Sequence, residues 1–130
     1  MGPSGAPVGA PIAPGERIFQ GKLMMAAAAT MPFYGYGIRM FPFAGERPGM
    51  MHLRLGQVRP AHVLANLPRL WTGRWFPEGM HDFYARELHI RFAQPMPFQV
   101  GGDAVGYRTE VTLAMASESV ELLDFHGALQ

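Results

Sequence analysis

Residues 30–55 read TMPFYGYGIRMFPFAGERPGMMHLRL, and the rest of the chain is organised around them. The small, apolar run Leu23–Thr30 leads in. The chain then turns at Pro32 and at Gly35-Tyr36-Gly37, crosses Ile38-Arg39-Met40, turns again at Pro48-Gly49 and leaves as a strand, Met50–Leu55. A Gly-x-Gly corner after a strand marks positive φ or a close backbone approach. Gly35 and Gly37 therefore read in two ways, as a tight corner of a sheet or as a wall that admits a ligand close to the backbone.

The 130 residues suffice for one domain and can bury roughly two-thirds of the unfolded surface. Composition is globular, 48% hydrophobic and 16% charged, with a formal net charge of +1. No strong field draws nucleic acid. The absence of cysteine removes disulfides and thiolate metal sites and fits a reducing, cytoplasmic compartment. No basic segment followed by an apolar one opens the chain, so a secretory signal is not expected. The longest apolar run, Leu23–Ala29, falls far short of the about 20 residues that span a bilayer.

Residues 1–15, MGPSGAPVGAPIAPG, have no helical or strand period and read as a flexible leader. Glu16–Gln20 is expected to be a short strand with a turn at Gly21-Lys22. Leu23–Thr30 lacks alternation, so as a strand it must be covered on both faces, while its alanines equally favour a helix. Pro60 opens a helix. Val63, Leu67, Leu70 and Trp71 share its apolar face, His62, Asn66 and Arg69 the other. Pro68 splits it into two short helices and Gly73 closes the second. From Tyr84 the period becomes two: Leu88, Ile90 and Phe92 point one way, Glu87, His89 and Arg91 the other. Pro95-Met96-Pro97 breaks the run, Phe98–Val100 is a short strand, and Gly101-Gly102-Asp103 is a turn. Val111, Leu113 and Met115 alternate in the next strand, Ser117-Glu118 turn it back, and Val120 and Leu122 fall in a last strand. Residues 127–130 are a tail. Composition and period alone support an all-β or an α+β sandwich, and the fold expected is mainly β, an antiparallel sandwich-like domain over 16–126 with a short helical pair inserted.

The order of elements and the residues of the opening stretch resemble the second domain of the bacterial diacylglycerol kinase and sphingosine kinase-like lipid kinases. Their motif runs roughly Asn-Gly-x-Tyr-x-Gly-Gly-Gly-Met-x-Ile-x-Pro, then Asp-Gly-x-Leu-Asp. Thr30-Met31 stand at Asn-Gly, Pro32 to Pro42 follow in register, and Gly49-Met50-Met51-His52 stand at Gly-x-Leu-Asp. The helix pair with its internal Pro-Arg-Leu and the strand Arg86-Glu87-Leu88-His89-Ile90-Arg91-Phe92 keep the family's order, so the resemblance covers nearly all of 16–125. It resolves the ambiguity at Leu23–Thr30 in favour of a strand.

What the resemblance implies is a lipid-site domain. The complete enzymes use ATP and Mg2+ to phosphorylate a lipid hydroxyl, holding the nucleotide on a first domain with a Gly-Gly-Asp-Gly-Thr loop. That loop is not in this chain, nor is the earlier part of the second domain. The chain is thus expected to bind no cofactor and catalyse nothing alone, and to need a nucleotide-binding domain on another chain or a second copy of itself. Open strand edges left by the missing part invite such association. Diacylglycerol or a sphingoid base is the implied ligand, with contact at the membrane periphery.

Two departures bear on chemistry. The family's Val-Asp-Gly-Glu turn carries an acid proposed as general base, a role that phosphoryl transfer requires. Here the stretch is Gln99-Val100-Gly101-Gly102-Asp103: Gly101 empties the base position and Asp103 keeps the second carboxylate. The family also holds a cation in the loop matching Phe43–His52. Pro48, His52 and Phe43 replace its acids here and Glu46 is the one carboxylate left, so no metal is expected. Site roles carried over are Asp103 near the transfer cleft and Gly35, Tyr36 and Gly37 shaping its wall. The plain alternative for Asp103 is a solvated turn residue. The rival function is a non-catalytic lipid-binding or structural module that keeps the fold and has lost the enzyme. A third reading is membrane-surface docking through Arg69–Trp75, against which stands a helix pair covering the core with snorkelling arginines. The ten methionines suit an adaptable groove for acyl chains or simply fill a core. The five histidines have no metal-ligand spacing and receive no role.

Overall fold

The computed structural model describes residues 1, 2 and 4–118, and these are mainly β. The chain forms two compact units, Met1–Arg86 and Glu87–Gln130. The expected strand at Val120 and Leu122, the tail and His126 lie outside the described residues.

The first unit is a three-stranded antiparallel sheet in the order β1 (Met25–Ala29), β2 (Met51–Gly56), β3 (Met80–Ala85), with helices α1 (Pro60–Ala65) and α2 (Leu67–Trp71) between β2 and β3. The alanine-rich β1 is a strand, pairing Ala26 with Leu55 and Ala28 with Leu53. All six residues of the central strand β2 are buried. Residues 16–20 form no strand. That segment lies outside the sheet, whose edge next to β2 is taken by β1. The corners stand where the glycines put them: Ile38 N–H donates to the Gly35 carbonyl, and Met50 N–H to that of Arg47.

The helical break falls at Asn66, with Pro68 in the first turn of α2, where its missing N–H costs nothing. Gly73 (φ +69) ends α2 in a Schellman arrangement: its N–H donates to the Leu70 carbonyl and that of Arg74 to Arg69. Leu70 is buried. Trp71, expected on the inner face, is instead 44% exposed, and Trp75, at 6%, fills the core with Val58 and Leu70. The Schellman turn reverses the chain after Trp71, which brings Trp75 inward.

The second unit is the hairpin β4 (Glu87–Val100) and β5 (Asp103–Ala114). The predicted alternation holds, with Leu88 buried, Ile90 and Phe92 half-buried, and Glu87, His89 and Arg91 exposed. Pro95–Pro97 does not end the strand. The register jumps from Arg91↔Glu110 to Met96↔Arg108, so a bulge absorbs the prolines. Among the described residues this sheet has two strands, each with a free edge, where a missing N–H is tolerated. Gly101 (φ +61) and Gly102 (φ +98) make the two-residue turn, whose primed type needs positive φ at both centres.

Candidate functional site

Two features of the first unit stand out, an apolar cavity and a buried charged cluster beside it. The cavity has a volume of about 330 Å3. Four methionines (Met24, Met25, Met40, Met80) line it, together with Val58, Val63, Leu70 and Trp75. Among the described residues no charged side chain contributes to its wall. Met24 and Leu64, which also line it, are 61% and 71% exposed and mark its rim. The methionines arrive from three places: the lead into β1, the segment after the Gly35–Gly37 corner, and the start of β3. Unbranched, polarisable thioethers adapt to occupants of differing shape. The volume lies within the about 300–1,000 Å3 usual for small-molecule sites.

The charged cluster lies on β2 and β3. Arg54 and Asp82 are directly opposite in the register, and His52 lies two residues along on the same face of β2. Arg54 Nε donates to Asp82 Oδ1 at 2.6 Å and its Nη2 to Oδ2 at 3.1 Å. His52 Nε2 is 2.8 Å from Oδ1. A carboxylate only accepts, so Nε2 is the protonated nitrogen. Burial pushes the Asp82 carboxyl up, but the hydrogen bonds from His52 and Arg54 and their charges outweigh it and hold the group below its usual range. Phe41 and Phe43 pack on the His52 ring, Phe43 stacks on Phe76 at 5.4 Å, and the Arg54 guanidinium lies 5.8 Å from the Phe76 centroid. His52, Arg54 and Asp82 are 0%, 1% and 5% exposed, so no substrate reaches them. Their work is positional. Arg54 Nη1 donates to the Met40 carbonyl at 2.7 Å, which fixes one wall of the cavity.

The residues expected from the sequence fall into separate units. Gly35, Tyr36 and Gly37 form one corner of the first unit, all at positive φ (+96, +47, +76), and are exposed. Open space surrounds Gly35, and Gly37 would meet the Trp71 indole nitrogen at 3.7 Å if it carried a Cβ. Gly101 and Asp103 belong to the hairpin end of the second unit, where Asp103 is exposed and pairs with Val100. The loop 43–52 is not a ring of oxygen donors: Phe43 and His52 turn inward to the aromatic stack. Sequence reasoning gave no role to His52, Arg54 or Asp82. The signal that marks them is a histidine and an arginine at i and i+2 of one strand, with no acid anywhere between Arg47 and Pro77 to pair with.

Compared with models of known protein families, with curated proteins and with solved structures, the chain matches none. Among the described residues no helix is long and apolar enough to cross a membrane.

Proposed function

We propose that the chain is the lipid-site domain of a diacylglycerol kinase-like lipid kinase, and that its cavity takes the hydrocarbon chain of a diacylglycerol or sphingoid substrate. The observation that carries this reading is the methionine-lined cavity, apolar throughout, of ligand size, and open at Met24 and Leu64. The mainly β fold and the corner at Gly35–Gly37 are consistent with it. In the complete enzyme ATP and Mg2+ belong to a separate nucleotide-binding domain, on another chain or a partner, and this chain transfers no phosphate alone.

The second reading is a lipid-binding module without catalysis. Gly101 favours it, because the position expected to carry the general base offers no side chain, and Asp103 is exposed at the start of β5. Thermal unfolding in detergent micelles tests what the two readings share. Diacylglycerol or a sphingoid base at about 100 times its Kd raises stability by about 2.7 kcal/mol, and the midpoint climbs accordingly. An unchanged midpoint with both lipids contradicts both readings. A neighbouring reading frame that encodes Gly-Gly-Asp-Gly-Thr separates them in favour of the kinase.

A further inference from the structure

Tyr36 is a bulky aromatic in a place that asks for glycine. Its φ is +47, its neighbours Gly35 and Gly37 are also at positive φ, and its side chain is 96% exposed. A left-handed conformation costs a non-glycine residue about 1–2 kcal/mol. Nothing in the fold repays that cost through packing, so the ring is there for something outside the unit.

The surroundings of Tyr36 say what. The corner is closed by Tyr34 N–H donating to the Ile38 carbonyl, and it packs on the end of α2: Arg39 N–H donates to the Trp71 carbonyl at 3.0 Å. The Arg39 stem passes over Gly73, 3.0–3.3 Å from where a Cβ would stand. Phe33 (52% exposed) and Trp71 (44%) present further aromatic surface. Arg39, Arg69 and Arg74 are exposed, and none of them forms an ion pair among the described residues. No acidic residue occurs from Arg17 to Gly45 or from Arg47 to Pro77. Unpaired arginines beside exposed tyrosine and tryptophan match the headgroup layer of an anionic bilayer, where amphipathic rings settle and guanidinium groups meet phosphates.

We infer that Tyr36, Trp71, Arg39, Arg69 and Arg74 form a docking surface for an anionic phospholipid membrane. Arg39, Trp71 and Arg74 are each the sequence neighbour of a residue that lines the cavity (Met40, Leu70 and Trp75). The inference does not need the cavity to be occupied.

Flotation of the full chain with vesicles tests it. Vesicles of equimolar phosphatidylcholine and phosphatidylglycerol carry the chain up, phosphatidylcholine alone does not, and added salt weakens the association. The triple variant Arg39→Gln/Arg69→Gln/Arg74→Gln binds about 100-fold less, at about fivefold per arginine. Tyr36→Gly lowers binding too, yet its thermal midpoint does not fall, because glycine relieves the left-handed strain. That pairing separates docking from a structural role. Equal flotation of wild type and triple variant, or no flotation on anionic vesicles, overturns the inference. A patch that serves a protein partner gives the second result. Micelle experiments report on the cavity without a bilayer, so failure there and failure here are distinct.

Discussion

Each unit pairs a histidine with a carboxylate across two antiparallel strands, and the two pairs differ in nearly every other respect. His52 and Asp82 are 0% and 5% exposed and share Arg54. His89 and Glu110 are 42% and 54% exposed, with Arg91 near. In the first unit His52 sits on the central strand, whose other face carries Met51, Leu53 and Leu55, so both faces of that strand are dry. In the second it sits on a hairpin with only Leu88 and Val111 buried. The lesson is that chemistry-bearing residue types mark a determinant only when the sheet around them excludes water.

Breaking the buried pair has the largest effect. Asp82→Asn removes the negative charge opposite the buried Arg54 and turns one of the two acceptor oxygens into an NH2 donor, which costs about 3–5 kcal/mol in chemical denaturation. The contribution also has a pH signature. The folded-state value of Asp82 lies below the ordinary 3.8, so its stabilisation is present above that pH and is lost as pH falls through the folded value. The acid limb of a stability–pH curve is correspondingly flatter in Asp82→Asn than in the wild type. A curve of unchanged shape speaks against the cluster's role.

A middle-sized effect sharpens the contrast from the other side. Gly101→Ala places a Cβ at φ +61 in the β4–β5 turn and costs about 1–2 kcal/mol. Hydrogen exchange localises the loss to β4 and β5 and leaves the amides of β2 protected. Faster exchange throughout β2 breaks the distinction between the units. The smallest effect belongs to the exposed pair: Glu110→Gln changes stability by at most about 1 kcal/mol. A loss as large as that of Asp82→Asn contradicts the comparison.

Much of the fold is legible in the sequence because it is written locally. Pro60 and Pro68 set two helix starts, Gly73 sets a C-cap, and Leu88, Ile90 and Phe92 give the period of β4. What stays hidden is non-local. His52 and Arg54 alternate with Leu53 and Leu55, and the Phe41–Phe43 segment and Phe76 that cover them come from elsewhere in the sequence. Asp82 is next to His81, and only the β2–β3 register reveals that it faces Arg54. Trp71 and Trp75 exchange roles because a Schellman turn lies between them. The cavity is the least legible feature, since methionines that line a space and methionines that fill one look alike in sequence.

The central claim is that this space takes a lipid chain, and Trp75, in its wall, can report it directly. Trp71→Phe leaves Trp75 as the sole tryptophan. Titration of that variant in micelles with diacylglycerol brominated on its acyl chains is predicted to quench Trp75 saturably, and unbrominated diacylglycerol to reverse the quenching. Absent quenching, or quenching that neither saturates nor is displaced, contradicts the account.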